Sequence, residues 1–352
     1  VTTAYLEDPD LGGASKVARY VNVDGRSPES LPGGVPTIGI WGEWNTADSG
    51  FNRTEDGGNA QIGPDPENNY YFADKSHTEV LSSPEAFEVM YEFLAGIPAR
   101  TSDVTEITSG PVNVAGRALF FAENVGYAGA TLQVWTVEAE TGQRSATTPV
   151  ETVTLPESGD FGPLTLEAGL RYEFTLLREA TEALPVETEH HFYLEPFFHD
   201  NHFVRLLTTL PGTSIEAFIP RWEDAQGLVM LRQREFWGDQ GAMSDELFIN
   251  GLNVLTPLLS PRATGDGSGA NLAVFTFDAE GDSITDLERG ELFPFSTLIF
   301  LTGADVFIPA QSGGQGVTEI SLVHRGGQES RLNLPNWPST GHLVSVYFRD
   351  DR

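Results

Sequence analysis

Three short apolar runs in the first hundred residues constrain the fold more than any other feature of the chain. Each run leads to a polar side chain of catalytic type, and these side chains are Asp24, Asp48 and His77. Short apolar runs bounded by Gly, Pro and polar residues are typical of buried strands, here at 19–25, 35–42 and 69–72. Strands separated by turns and helices indicate parallel crossovers, in which functional side chains gather at the carboxyl ends of the strands.

A well-signalled helix follows His77 almost at once. Ser82 is the predicted N-cap, Glu85 completes a capping box, and Pro84 suits the first turn. Gly96 is predicted to end the helix. Apolar side chains recur at spacings of three and four residues, which predicts one buried stripe made of Ala86, Phe87, Met90, Tyr91 and Leu94.

This part of the chain resembles the C-terminal half of bacterial or archaeal lipases and carboxylesterases of the two-domain type. The resemblance rests on residues 20–25, on residues 33–42, and on Ser76-His77 before the helix. It implies an α/β-hydrolase domain followed by a long β-rich domain that engages lipid. It also implies a Ser-His-Asp triad, in which His77 is the general base and Asp24 is the acid that orients it.

Asp48 is the alternative acid, because many other α/β-hydrolases carry theirs after the strand that matches residues 35–42. Spacing alone cannot decide between Asp24 and Asp48. No Gly-x-Ser-x-Gly motif occurs in the sequence, and the resemblance places the nucleophilic serine just upstream of Val1, in an N-terminal segment or chain. The chain is therefore predicted to belong to a serine ester hydrolase while lacking the nucleophile itself.

From about residue 101 the sequence changes to short apolar runs punctuated by Gly, Pro and Asp, which favours antiparallel sandwiches or barrels. The predicted fold class is α/β, as the C-terminal half of an α/β-hydrolase sheet, followed by all-β sandwich or barrel domains. The predicted domains are a half-hydrolase domain at 1–100, a small β-sandwich at 101–182 and a larger β-sandwich or barrel at 183–352. Strands are predicted at 113–122, 131–138, 151–155, 164–166, 172–177, 192–198, 203–207, 214–219, 273–277, 298–301, 317–324 and 343–348.

The charge and composition of the chain limit which partners and locations are expected. The 352 residues carry 51 acidic and 20 Lys or Arg side chains, a net charge of −31, so nucleic acid is not expected as a partner. Such a surface fits a salt-tolerant protein or an acidic secreted one, and a secreted or cell-envelope location is expected. The absence of cysteine excludes disulfides, zinc–thiolate sites and thiol catalysis. No run of 18 apolar residues occurs, so no transmembrane segment is expected.

Two groups of side chains suggest metal binding, and each has a simpler interpretation. The first is His190, His191, His199, Asp200 and His202, but the interleaved Phe and Tyr side chains favour a strand–turn–strand. The second resembles a calcium loop with oxygen ligands at Asp278, Glu280, Asp282 and Asp286. It lacks Gly at the sixth position, which favours a solvated acidic turn. No cofactor is predicted as required, and structural calcium remains a weak candidate.

Two functional classes follow. The first is a carboxylic ester hydrolase of lipase type, whose β domains position a lipid or polyester substrate. The alternative is a non-catalytic β-sandwich protein, a binding or scaffold protein for lipid or carbohydrate, that keeps the hydrolase half-domain as a relic. The argument for carbohydrate rests only on the many aromatic side chains after residue 190, most of which are expected in the core.

Overall fold

The computed structural model describes residues 2–25, 28–42, 62–63, 65–72, 75–121, 123–238, 244–260, 271–298 and 300–350. The α-helices of these residues are α1 (Thr2–Glu7), α2 (Glu79–Ser82) and α3 (Pro84–Ala95). Short 3-10 helices lie at Ala14–Lys16, Pro32–Gly34, Pro66–Asn68, Ser214–Phe218, Leu287–Arg289 and Phe295–Thr297. The strands are β1 (Tyr20–Val23), β2 (Thr37–Gly42), β3 (Asn69–Phe72), β4 (Pro111–Phe120), β5 (Thr131–Val137), β6 (Glu151–Thr154), β7 (Asp160–Glu167), β8 (Arg171–Arg178), β9 (Thr188–Leu194), β10 (Asn201–Thr208), β11 (Leu228–Phe236), β12 (Glu246–Ile249), β13 (Leu252–Asn253), β14 (Asn271–Phe277), β15 (Leu301–Asp305), β16 (Val317–Val323), β17 (Glu329–Pro335) and β18 (His342–Tyr347).

The N-terminal part of the chain is built on a small parallel sheet. Strands β1, β2 and β3 pair in sequence order, and all three run in the same direction. Every residue of β2 is buried, as expected of the central strand of a parallel sheet. A small core joins this sheet to α2 and α3, and its buried members are Ile38, Ile40, Val80 and Ala86.

The predicted α/β fold class is wrong. The described chain is mostly β, in four sheets, and no half of an α/β-hydrolase domain is evident among the described residues. Parallel strands are usually joined by a crossover helix, but the described residues between β1 and β2 form only the 3-10 turn Pro32–Gly34. Apolar runs indicate strands and cannot show whether the connections between them are helical. Within the described residues, no helix is long and apolar enough to cross a membrane.

Helix α3 differs from its sequence prediction at its start and on its face. The N-cap is Ser83 rather than Ser82, and its Oγ accepts a hydrogen bond of 3.2 Å from the Ala86 backbone N–H. Gly96 ends the helix in a left-handed conformation with φ 74°. Of the predicted buried stripe only Ala86 is buried, whereas Phe87, Tyr91 and Leu94 are 43%, 38% and 53% exposed. Much of the apolar face that periodicity assigns to the core is therefore exposed to solvent.

The β-rich part of the chain centres on one eight-stranded sheet, in the order β15-β14-β11-β18-β9-β8-β5-β6. A three-stranded sheet, β10-β4-β7, shares an apolar core with strands β5, β8 and β9 of the eight-stranded sheet. A four-stranded sheet, β13-β12-β16-β17, shares another core with β11, β14 and β18. The two cores lie on opposite faces of one continuous sheet, because Phe192 and Leu194 of β9 belong to the first core and Tyr193 to the second. The parallel pairing of β9 with β18 joins the sheet in the middle.

Strands β9 and β10 each pair with a strand of the predicted domain at 101–182. Both strands follow residue 183, yet β9 pairs with β8 and β10 pairs with β4. Both strands are therefore hydrogen-bonded to the predicted domain at 101–182, and β9 also pairs with the later strand β18. The segment at 214–219, predicted as a strand, contains the 3-10 helix Ser214–Phe218.

Candidate functional site

The candidate site lies at the carboxyl edge of the N-terminal parallel sheet. Asp24 directly follows β1, and its backbone N–H donates to the Ile40 carbonyl of β2 at 2.7 Å. His77 lies in the turn between β3 and α2. Because β1 and β3 run parallel on either side of β2, the two side chains leave the sheet at the same edge.

His77 and Asp24 are in direct hydrogen-bond contact. The distance between His77 Nδ1 and Asp24 Oδ2 is 2.5 Å. The Asp24 side chain is almost fully buried, whereas that of His77 retains 28% exposure. Against an ionised carboxylate, Nδ1 must carry the proton, so Nε2 is the nitrogen that can accept one. This is the tautomer that a histidine general base requires.

The surroundings of His77 raise its pKa. Burial is the largest influence and acts to lower the pKa. The hydrogen bond to Asp24, the negative charge of Asp24 and the more distant charge of Glu235 act in the opposite direction and together outweigh burial. The imidazolium form is therefore stabilised, which is the form that a general base passes through during catalysis.

Phe300 connects His77 to an apolar cleft. The two rings are stacked, with centroids 5.8 Å apart and planes inclined by only 2°. Phe300 also lines a cleft of about 350 Å³ between the edge of β10 and the strands β11, β14 and β15. A smaller apolar cavity continues from it, and the two share the lining residues Phe121, Leu207, Leu231, Ala273 and Leu301. An apolar space thus begins beside the imidazole.

A buried carboxylate on β11 fixes the turn that carries His77. Glu235 Oε1 accepts from the Thr78 backbone N–H at 2.9 Å, and Glu235 Oε2 accepts from the Thr78 hydroxyl at 2.9 Å. Burial raises the pKa of Glu235 above its usual value, and these hydrogen bonds together with the His77 charge offset only part of that effect. The residue after His77 is therefore held by a strand of the β-rich part.

The next contact between the two parts of the chain is an ionic network around Glu79. Its carboxylate accepts from Arg234 at 2.8 Å and from Arg325 at 2.7 Å. Burial acts to raise the pKa of Glu79, but the two guanidinium groups outweigh it and lower the pKa. Arg325 also contacts Asp245 at 2.9 Å. These partners lie more than 150 positions from Glu79, so the sequence gives no sign of the network.

The structure brings together only some of the residues singled out from the sequence. Asp24 and His77 meet, and their catalytic roles stay a prediction. Asp48 lies outside the described residues. Among the calcium candidates, Asp278 accepts from the backbone of Gly281 and Ser283. The others are likewise engaged locally, since Glu280 pairs with Arg289 while Asp282 and Asp286 accept from backbone N–H groups.

The four calcium candidates do not converge on one point. Among the described residues, the side chains that lie close enough together for a three-ligand site belong to a different group. Buried or half-buried aromatic side chains outnumber exposed ones among the described residues after residue 190. Phe197, Phe236, Trp237 and Phe295 are buried, whereas Phe293 is 68% exposed. The aromatic content therefore reflects core packing for the most part.

A second polar cluster lies inside the eight-stranded sheet. Glu173 on β8 is fully buried and accepts from His191 Nδ1 at 2.7 Å, from Arg144 at 2.7 Å and from the Tyr193 hydroxyl at 3.2 Å. Burial would raise the pKa of Glu173, but His191 and Arg144 lower it to about 2. His191 Nε2 in turn lies 2.9 Å from His342 Nδ1.

The comparisons with known proteins concern the β-rich part. Residues 110–211 match the family model of the lipase C-terminal domain, so this segment associates the chain with lipases. Residues 214–352 match a second family model, which is described only as a C-terminal domain. Each model covers less than half of the chain, and neither includes Asp24 or His77. No curated protein gives a significant match.

Two solved structures are distantly similar to the chain. One is the Bacillus anthracis TIE protein, with 11% identity, 68% of this chain and 34% of that chain covered, and a TM-score of 0.20. Another is the shaft pilin SpaA from Lactobacillus rhamnosus GG, with 10% identity, 69% and 98% coverage and a TM-score of 0.20. The chain spans about a third of the length of the TIE protein. Similarities this low carry no argument about function.

Proposed function

We propose that the chain is part of a carboxylic ester hydrolase of the lipase or carboxylesterase type. The observation that carries the proposal is the 2.5 Å contact between His77 Nδ1 and Asp24 Oδ2, in a chain that also carries a lipase C-terminal domain segment. His77 acts as general base through Nε2, and Asp24 holds its tautomer and stabilises the imidazolium. Serine attack on the ester carbonyl gives an acyl-enzyme, and the alcohol leaves with the proton that His77 took from the serine. Water then hydrolyses the acyl-enzyme, with His77 again as the base.

The serine nucleophile is supplied by an upstream segment or by a separate chain. Several large apolar side chains of the N-terminal part of the chain are exposed, and we infer that the segment that carries the serine covers some of them. The exposed side chains are Leu11, Tyr71, Leu81, Phe87, Tyr91 and Leu94. We expect the nucleophile-bearing segment to pack against part of this surface and to place its serine beside His77.

The substrate is a lipid or another ester with an apolar acyl chain. The cleft that begins at Phe300 has a volume of about 350 Å³, which falls within the usual range for small-molecule sites of roughly 300–1,000 Å³. Its wall is mainly apolar, and Phe300 contacts both the cleft and the imidazole. An acyl chain in this cleft would therefore end near the reacting carbonyl group.

The acidic surface fits action outside the cell or at the cell envelope, in salt, without a nucleic-acid partner. No cofactor is needed for the proposed chemistry, and the calcium loop at Asp278 remains a minor candidate for a structural ion. These elements of the proposal rest on composition.

The test is ester hydrolysis with and without a nucleophile. Residues 1–352 alone are expected to hydrolyse a short-chain aryl ester no faster than background. Fusion to the natural upstream segment with its Gly-x-Ser-x-Gly motif should give turnover, which His77→Ala should reduce by several orders of magnitude and the exposed control His202→Ala should not change. Turnover that survives His77→Ala would refute the proposal. Acyl-chain binding in the cleft without any turnover by the fusion would favour the non-catalytic alternative.

A further inference from the structure

Three metal-capable side chains converge where β9 meets β18. Glu189 and His191 lie two residues apart on β9, so their side chains point to the same face of the sheet. His342, the first residue of β18, stands directly opposite Glu189 in the parallel register. The three donor atoms are Glu189 Oε2, His191 Nε2 and His342 Nδ1, and all lie within 4.8 Å of one another.

The spacing of the donor atoms fits a small tetrahedral ion. His191 Nε2 lies 2.9 Å from His342 Nδ1 and 3.4 Å from Glu189 Oε2, while His342 Nδ1 lies 4.0 Å from Glu189 Oε2. Ligands around tetrahedral Zn²⁺ with bonds of 2.0–2.1 Å are about 3.4 Å apart. A triangle with the three observed sides has its circumcentre about 2.0 Å from each corner. A tetrahedral ion lies about 0.7 Å out of the plane of three ligands, which would put it about 2.2 Å from each donor atom, close to an ordinary zinc–ligand bond length.

The neighbours of His191 prepare its Nε2 for a metal. Its Nδ1 lies 2.7 Å from the buried Glu173 carboxylate, which also accepts from Arg144 and from the Tyr193 hydroxyl. Because this carboxylate acts as an acceptor, Nδ1 of His191 carries the proton and the lone pair is on Nε2. A carboxylate–histidine–metal arrangement of this kind fixes the ligating nitrogen in many zinc sites.

The cluster is covered on one side and open on the other. The Trp337 ring stacks on His191 at 4.9 Å and on His342 at 4.7 Å, which holds both imidazoles in place. Glu189 and His342 also line an open cavity of about 770 Å³, which gives an ion an entry path and room for a water molecule as fourth ligand. Arg144 lies 3.8 Å from Glu189 Oε2, but it is held by Glu173 at 2.7 Å.

We propose that Glu189, His191 and His342 bind one Zn²⁺ ion that links β9 to β18, the two strands at which the halves of the eight-stranded sheet meet. Two imidazole nitrogens and one carboxylate oxygen form a ligand set that zinc uses in proteins. On binding, Zn²⁺ takes the place of the proton between His191 and His342, and the one proton of the neutral His342 ring moves from Nδ1 to Nε2. The ion stabilises the sheet and takes no part in ester hydrolysis.

The test is a calorimetric titration of the metal-stripped full chain with Zn²⁺. Excess Mg²⁺ is included, because it saturates exposed carboxylates and competes poorly for imidazole nitrogens. We expect one Zn²⁺ per chain, with affinity lowered at least about tenfold by Glu189→Gln and by His342→Ala. Glu173→Gln is expected to lower the affinity by about 10–100-fold without removing a ligand. The control His202→Ala removes an exposed histidine and should bind like the wild type.

Two further measurements keep the outcome clear. Co²⁺ should give the intense visible absorption of a tetrahedral complex in the wild type and lose it in His342→Ala. Zn²⁺ should raise the thermal unfolding midpoint of the wild type but not that of the Glu189→Gln/His342→Ala double variant. The proposal is overturned if the wild type does not bind Zn²⁺, or if the double variant binds it as tightly as the wild type. If His342→Ala does not fold, the test relies on Glu189→Gln, because Glu189 is partly exposed. A Zn²⁺ affinity of this variant equal to that of the wild type would also contradict the proposal.

Discussion

The imidazole of His77 lies parallel to the ring of Phe300, 5.8 Å away between centroids. Phe300 adopts a left-handed backbone conformation with φ 69°, and Asp24, the hydrogen-bond partner of His77, does so with φ 45°. Residues other than glycine rarely adopt positive φ, and for a bulky residue the conformation is strained. Such strain persists only where surrounding structure enforces it, commonly at functional sites. Phe300 and Asp24, which both contact His77, are therefore held in place by the fold.

The first prediction concerns this strain at Phe300. Phe300→Gly and Phe300→Ala both remove the ring, but only glycine adopts φ 69° at little cost. We expect the free energy of unfolding of the glycine variant to be about 1 kcal/mol higher than that of the alanine variant, as measured by denaturant titration. The order of stabilities is the critical result, because glycine normally destabilises relative to alanine. An alanine variant at least as stable as the glycine variant would mean that the backbone there is relaxed.

The second prediction concerns the charge on His77. Asp24→Asn removes the hydrogen bond and the negative charge that raise the pKa of His77, and leaves the burial that lowers it. We expect the pKa of His77 to fall below its wild-type value in an NMR titration of the histidine ring protons, with the signal assigned through His77→Gln. Exposed Asp10→Asn serves as the control and should leave the pKa of His77 unchanged.

The same shift predicts a change in pH-dependent stability. In the wild type the raised pKa of His77 contributes stability that is complete below its unfolded pKa of about 6.5. That contribution is lost as the pH rises through the folded pKa. Asp24→Asn should remove it, so the wild type and variant should differ in stability most at low pH. A difference that grows with pH would contradict the assignment.

The third prediction concerns the ionic contact between the N-terminal part and the β-rich part. Glu79→Ala leaves Arg325 and Arg234 without a carboxylate that they contact at 2.7 and 2.8 Å. Removing one partner of a buried ion pair costs roughly 3–5 kcal/mol. Glu85→Ala removes an exposed carboxylate 3.8 Å from Lys75, and such a pair contributes at most about 1 kcal/mol. Denaturant unfolding of the two variants should show this contrast, and equal losses would exclude a coupling role for Glu79.

The fourth prediction concerns acid sensitivity. Burial, followed by the charge of Arg232, lowers the pKa of His324 to about 4. The unfolded chain binds a proton at this residue near pH 6.5, so the free energy of unfolding should fall as the pH drops from about 6.5 to 4. His324→Gln should flatten this part of the stability curve, by about 1.4 kcal/mol per pH unit at most. Exposed His202→Gln should leave the slope as it is, and an unchanged slope in His324→Gln would show that other groups cause it.

The local elements of the N-terminal part could be predicted from sequence, and their connections could not. The apolar runs at 19–25, 35–42 and 69–72 contain β1, β2 and β3, and these strands are parallel. The prediction of an α/β-hydrolase half-domain is wrong, because an apolar run indicates a strand but not whether the connections between strands are helical. Helix α3 shows the same limit, since Phe87 and Tyr91 satisfy helical periodicity yet remain exposed.

The candidate site divides in a similar way. Strand-end placement made Asp24 and His77 candidates for one site but applied equally to Asp48, and the choice of Asp24 rested on the family resemblance. Glu235 and Phe300 could not be found, since Glu235 lies on the distant strand β11 and Phe300 just before β15, and both approach His77 only after the β-rich part has packed. For Glu189 and His191 the alternation along a strand was a usable signal, but their neighbour His342 is about 150 residues away and depends on the β9–β18 pairing.

That pairing also limits how such a protein can arise and diversify. The boundary between the segments at 110–211 and 214–352 looks in sequence like a place where two modules were fused. In the structure, six consecutive residues of β18 are in register with β9 across that boundary. Exchange of one segment for an unrelated one would leave a long central strand edge without its partner, and such edges promote aggregation. The two segments are therefore expected to be inherited together, with substitutions along the shared ladder compensated on both sides.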